Sequence, residues 1–247
     1  MDTTSEQTAA AAVVVRAATK LDLPHLATMH AGLLPAGLFP KLGERFLRRW
    51  HATFLIPPHG IALVATDPQG QPCGFLIGST DEAAHLRDVL AHRRIPLALA
   101  ALGCVGLLTQ PSLAMHFART RLLPYLRRMI GFYSPRRRPA HNPAGTVVTE
   151  RGVTAPSAAM AVLTAVAVTP AGRGAGVGTQ LVEHFVRRAR GGPSATAELA
   201  AQAGPDGSGL FYERLGWVAV REQTTTDGDR LAIYQYDLRP ARPEMSR

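Results

Sequence analysis

Ala161-Val-Leu-Thr-Ala-Val-Ala-Val168 runs into Thr169-Pro170-Ala-Gly172-Arg173-Gly174-Ala175-Gly176-Val177-Gly178-Thr179. The first eight residues are apolar apart from one β-branched threonine, the composition of a strand buried on both faces. The amphipathic stretch that follows, Val177–Arg190, reads as a helix. Four glycines at alternate positions between them exceed what a tight turn needs. They let a main chain close around a ligand without Cβ collisions. The start of a helix offers unpaired N–H groups and the positive end of its dipole, so this turn suits a phosphate or pyrophosphate. Arg173 adds a forked cation. A nucleoside-triphosphate loop ends Gly-Lys-Ser/Thr, and here Gly178 meets Thr179 with no lysine. A dinucleotide fingerprint wants G-x-G-x-x-G and an acid about 20 residues on. Glu198 sits at such a distance, but Gly174-Ala-Gly176-Val-Gly178 has the wrong final spacing, and too little chain follows to complete a doubly wound sheet.

Taken with a second motif, Phe211-Tyr212-Glu213-Arg214-Leu215-Gly216-Trp217, the stretch Leu163–Leu238 resembles the Gcn5-related N-acetyltransferase (GNAT) superfamily. The family's acyl-CoA loop, Arg/Gln-x-x-Gly-x-Gly/Ala, is matched by Arg173-Gly174-Ala175-Gly176-Val177-Gly178. Its Ala-Val-x-Pro strand end is matched by Ala167-Val168-Thr169-Pro170. The resemblance implies that the strand around Val166 and Val168 holds the pantetheine arm, that the amides of Arg173, Gly174, Ala175, Gly176, Val177, Gly178 and Thr179 hold the pyrophosphate, and that Tyr212 protonates the leaving thiolate. Leu38 and Phe39 fall where family members shape the acceptor site. Two departures leave the general base unassigned. Val162 stands where a glutamate is common, and Gly204-Pro205-Asp206-Gly207-Ser208 replaces a loop that often holds asparagine. Glu198, Glu150 and His141 are candidate bases, with proton relay through water as the alternative.

Working outward, residues 1–12 read as a flexible arm and 239–247 as a tail around a single acyltransferase domain, 13–238. Val13–Arg16 is a strand signal, Asp22 a candidate N-cap before Pro24, and Gly43–Phe54 a helix with Phe46, Leu47, Trp50 and Phe54 on one side. Ile61–Thr66 and Cys73–Ser79 flank a turn-forming run, Asp67–Pro72, and read as a hairpin. Residues 81–156 form an insert longer than the family requires, helical to Tyr133 and then loop. Ala195–Ala201, Trp217–Gln223 and Arg230–Leu238 read as strands and Leu210–Leu215 as a short helix. The expected fold class is α+β: a central mixed, mostly antiparallel sheet flanked by helices, with a helical insert between the third and fourth strands.

Composition bounds the function. Two cysteines in 247 residues exclude a disulfide scaffold and a Cys-based zinc cluster. The nine histidines show no ligand spacing, so no metal is expected. The formal charge of +9 is almost all arginine, and no nucleic-acid partner is expected from it alone. Asp2 and Glu6, with no cation before Arg16, are the opposite of a secretory signal, which sets a cytoplasmic expectation. Ile95–Ala118 carries no charged residue but is broken by Pro96, Gly103, Gly106 and Pro111. It reads as two buried helical pieces joined near Gln110–Ser112 rather than an integral membrane span, with room for a homodimer face or for peripheral contact with anionic lipid. The expected activity is transfer of an acyl group, most simply acetyl from acetyl-CoA, to an amine of a small molecule or peptide, an acidic one being favoured by the insert's arginines. The alternatives are another acyl-CoA with a long chain, an O-acyl acceptor, a non-catalytic acyl-CoA sensor and, last, a nicotinamide-dependent oxidoreductase.

Overall fold

A computed structural model describes residues 13–36, 38–108, 159–204, 207–225 and 228–239. The chain divides into two compact units, Met1–Gly106 with Ala159–Arg247, and Leu107–Ala158. Leu107 and Leu108 apart, the second lies outside the described residues. So do all of the expected insert beyond Leu108, with Glu150 and His141, the arm, and the tail beyond Arg239.

The first unit is built on a seven-stranded sheet in the order β1-β2-β3-β4-β5-β7-β6. Its strands are β1 Val14–Ala17, β2 Gly60–Thr66, β3 Pro72–Ser79, β4 Met160–Val168, β5 Thr196–Gln202, β6 Val218–Thr224 and β7 Arg230–Asp237. Every neighbouring pair is antiparallel except β4 and β5, so the sheet is mixed and mostly antiparallel as expected. The β2–β3 hairpin turns on Gly70 at φ +77°, with the Asp67 carboxylate accepting the amides of Gln69 and Gln71 at 3.0 and 2.8 Å.

The helices are α1 Leu23–Leu33, α2 Leu38–Lys41, α3 Glu44–His51 with a 3₁₀ turn Ala52–Leu55, α4 Glu82–Ala91, α5 Arg94–Leu108, α6 Val177–Arg190 and α7 Gly209–Arg214. On one face of the sheet, Leu181, Val182 and Phe185 of α6 pack on Ile61, Leu63, Leu76, Leu163 and Leu199. On the other, Leu26 of α1 and Phe54 pack on Ala62, Val64, Phe75, Ile77 and Ala167. A bulge in β4 makes this two-sided burial work. Ile77 pairs with Ala165 and Gly78 with Leu163, leaving Thr164 extra. Ala161 and Leu163 therefore face α6, and after the bulge Val166 and Val168 do so.

Two local expectations are corrected. Asp22 stands at the N-cap of α1, but its carboxylate makes no cap bond. It accepts both guanidinium nitrogens of Arg16 at 2.8 Å and the Thr19 amide at 2.7 Å, which ties β1 to the start of α1. The expected burial of the insert's first apolar piece also fails. Only Gly106 of α5 is buried, and Leu97, Val105 and Leu108 are 70%, 58% and 81% exposed. Among the described residues no single helix is long and apolar enough to cross a bilayer. The α4–α5 pair passes by length and composition but is bent by 91°.

Candidate active site

The site begins where the one parallel pair comes apart. β4 and β5 are paired only from Met160–Leu163 to Thr196–Leu199. Beyond Leu163, β4 keeps β3 as its neighbour through Val168 and has no partner on the β5 side among the described residues. A strand with one free edge inside a sheet presents amides and carbonyls that a ligand can complete. Val166 and Val168, both half-buried, line the groove opened there.

Immediately after β4 the chain makes a 3₁₀ turn, Pro170–Gly172, anchored by the Thr169 amide on the Cys73 carbonyl at 2.9 Å. Gly174 and Gly176 then take φ of +78° and +74°, the left-handed region that favours glycine. Gly176 is the N-cap of α6, with no side-chain cap bond. The first helical amide to find a backbone acceptor is Gln180, on the Gly176 carbonyl at 3.0 Å. The amides of Gly174 to Thr179 have no acceptor among the described residues. Six successive free N–H groups around a helix N-terminus are the physical form of an anion cradle. At Gly178, a Cβ would sit 3.3 Å from the Phe211 ring, so glycine lets the helix start lie close against α7.

The groove has a volume of about 710 Å³, within the range of small-molecule and cofactor sites. Arg173, Gly174, Gly176, Val177, Gly178 and Thr179 line it; Ala175, expected with them, does not. Arg173 and Arg214 are its two cations, and neither is paired with a carboxylate among the described residues. No Asp, Glu or His belongs to its described lining. Free amides, two unneutralised guanidinium groups, a glycine floor and an open strand edge fit a pyrophosphate carrying an extended amide-bearing arm.

Tyr212 lines the same groove from α7, 6% exposed, with its ring between those of Phe211, Trp217 and Tyr234. It is thus both a packed aromatic and a groove residue. Burial pushes its phenol up to about 12, and a hydrogen bond with Ser208 pulls it back in part. It stays protonated at every physiological pH.

The structure places three expected residues elsewhere. Glu198 faces Val162 across the parallel pair, outside the groove lining. Its carboxylate takes Arg221 nitrogens at 3.2 and 3.4 Å and the Gln235 amide at 3.0 Å, so its lone pairs are committed within the sheet. Phe39 packs on Trp50 and Phe46, ring centroids 4.6 and 5.4 Å away, and neither it nor Leu38 lines the groove. The α1 side is supplied instead by Leu33 and Leu34, which sequence reasoning missed along with Arg214, Ser208 and Phe211. Arg214 carried a signal: it lies two residues beyond Tyr212 in the same short helix. Leu33 and Leu34 carried none beyond their place at the end of a helix.

Residues 140–219 match the family model described as an acetyltransferase (GNAT) domain. No curated protein is similar to the chain in sequence. Among solved structures, an N-acetyltransferase from Staphylococcus aureus aligns at TM-score 0.52 with 12% identity, over 92% of this chain and 99% of its own. The histone acetyltransferase HPA2 and related acetyltransferase of Corynebacterium glutamicum aligns at 0.51 with 17% identity, over 95% and 99%. YncA from Salmonella typhimurium, solved with its cofactor acetyl-CoA, aligns at 0.51 with 12% identity over the same shares. These likenesses show the fold, and the family match falls on the stretch that holds the glycine loop and α7. Residues 140–219 are thus similar to a GNAT acetyltransferase domain, and the chain shares the fold of these solved acetyltransferases.

Proposed function

We propose that the protein transfers an acetyl group from acetyl-CoA to an amine, by direct attack with both substrates bound in the groove lined by the end of β4, the start of α6 and α7. The observation that carries this reading is the edge of β4 leading straight into six amides and two arginines that have no partner among the described residues. Acetyl-CoA bound there would supply an activated thioester. The amides of Gly174 to Thr179, with Arg173 and Arg214, hold its pyrophosphate. The free edge of β4 at Val166–Val168 orients the extended arm, and strand amides there polarise a carbonyl placed against them.

Tyr212 faces the leaving sulfur. A phenol at about 12 is less acidic than a thiol, near 8.5 in model compounds, by several units. Complete transfer of its proton is uphill, so the residue acts by hydrogen-bonding the developing thiolate. No carboxylate or imidazole among the described groove residues takes the amine's proton, and the amine loses it to water. The acceptor is a small-molecule or peptide amine, entering on the side of Leu33 and Leu34.

The test is titration calorimetry with acetyl-CoA, followed by intact-mass screening of amines and peptides. Micromolar binding and a product heavier by one acetyl group are expected. Binding without turnover on any amine would make the protein an acyl-CoA sensor, and no binding would remove the reading.

A further inference from the structure

α5 is an apolar helix whose outer side meets solvent. From Ile95 to Leu108 it has no polar side chain, yet Leu97, Ala100, Ala101, Cys104, Val105 and Leu108 are exposed. Their spacing, i, i+3, i+4, i+7, i+8 and i+11, makes a single stripe along the helix. The outward stripe of a water-facing helix is normally charged. At the N-terminal end stand Arg93 and Arg94, exposed and without a carboxylate partner among the described residues. Cations there oppose the helix dipole and do nothing for the helix itself.

Charge along the chain points the same way. Between Val89 and Thr149 there are nine arginines, no lysine and no acid. That equals the whole formal net charge of +9, so acids and bases balance in the rest of the molecule. An apolar helical stripe within a purely cationic stretch matches a surface that is apolar beneath and anionic on top.

We propose that the exposed stripe of α5, flanked by Arg93 and Arg94, docks the protein on an anionic lipid bilayer surface. Leu97, Val105 and Leu108 enter the boundary between headgroups and acyl chains, and the arginines meet lipid phosphates. A second copy of the chain is disfavoured as occupant, because it would bring its own Arg93 and Arg94 to the same surface with no carboxylate among the described residues to offset them. Nucleic acid is disfavoured because Val89–Leu108 contains no Phe, Tyr or Trp on which successive bases could stack.

The test uses the full chain with vesicles of phosphatidylcholine alone and of phosphatidylcholine containing one-third phosphatidylglycerol, separated by flotation. No acyl-CoA is present, so the outcome is independent of the catalytic reading. Binding to the anionic vesicles and little to the neutral ones is expected. The double variant Leu97→Glu/Val105→Glu should bind about 10-fold more weakly or worse, and Arg93→Ala/Arg94→Ala should weaken binding and flatten its salt dependence. Because both apolar side chains are exposed, the melting temperature should not move; if the acidic variant does not fold, Leu97→Ser/Val105→Ser replaces it. Absence of binding overturns the proposal. So does equal binding by wild type and the serine or glutamate variants, which would assign the affinity to arginines alone and to polyanions in general. A concentration-dependent dimer that these variants dissociate would assign the stripe to a second copy instead.

Discussion

At the scale of single residues the proposed reaction divides the groove into groups that would hold acetyl-CoA and one, Tyr212, that would help a bond break. Tyr212 touches the groove, but three aromatic rings also pack against it. Phenylalanine keeps the packing and removes only the hydroxyl. Tyr212→Phe should therefore leave acetyl-CoA affinity near wild type and lower kcat by about 10²-fold, the lower end of acid–base effects, since the phenol donates without full proton transfer. Steady-state kinetics beside calorimetry checks this, and unchanged kcat would return Tyr212 to a packing role. The holding groups behave oppositely. Arg173→Ala and Arg214→Ala should each weaken acetyl-CoA binding by about 10-fold, the worth of one charge-assisted contact, with kcat nearly kept at saturation. Equal affinity of both variants and wild type would move the pyrophosphate off this cradle. Gly174, Gly176 and Gly178 were legible in sequence because their requirement is local, a positive φ or a close approach. The fate of Glu198 was not, because it depends on Arg221 and Gln235, which reach it only once β6 and β7 have folded back beside β5.

At the scale of elements, α1 and α3 are joined by a buried pair of imidazoles. His51 Nε2 and His30 Nδ1 lie 3.0 Å apart, so one ring donates and the other accepts, and both are neutral. Their rings pack with Trp50 and Phe75. Burial lowers His30 to about 4; burial, with His30 beside it, lowers His51 to about 3. The unfolded chain takes up these protons near pH 6.5, the folded one only near 4 and below. Stability is therefore full above about pH 6.5 and falls as the pH drops toward 4, by about 3 kcal/mol for each histidine. Urea midpoints across that range check it. His30→Leu/His51→Phe should flatten most of the slope, leaving a remainder from His85, also lowered by burial. A slope unchanged in the double variant would sink the assignment. The helices themselves were legible from their apolar spacing, with α3 and its 3₁₀ turn covering the expected Gly43–Phe54. The exposure of α5 was not, since an uncharged run reads equally as core, and its surroundings decide which it is.

At the scale of the molecule, the first unit is a sheet in two parts, β1 to β4 and β5 with β7 and β6. Four residue pairs join them, Met160–Leu163 with Thr196–Leu199, and α6 packs across residues of both parts. A mixed, mostly antiparallel sheet was implied by resemblance, while the order of its strands and the place where β4 and β5 separate had no signature of their own. A molecule lying in the separation touches β4, the start of α6 and α7 together, so its binding energy is added to the cooperative stability of the whole unit. Acetyl-CoA at 100 times its dissociation constant should contribute about 2.7 kcal/mol, which for a chain of this size is roughly 5–10 °C in Tm. Fragments should divide the effect by the part of the groove they fill. Pantetheine, which lacks the pyrophosphate, should protect far less than CoA, because the six amides and two arginines stay empty of an anion. NAD carries a pyrophosphate but no pantetheine arm to complete the β4 edge, so at equal concentration it should protect less than CoA. Thermal melts with the four compounds decide between the readings. Protection by NAD equal to that by CoA would mean that only the anion cradle is recognised, and it would reopen the dinucleotide alternative that the spacing of Gly174, Gly176 and Gly178 argues against.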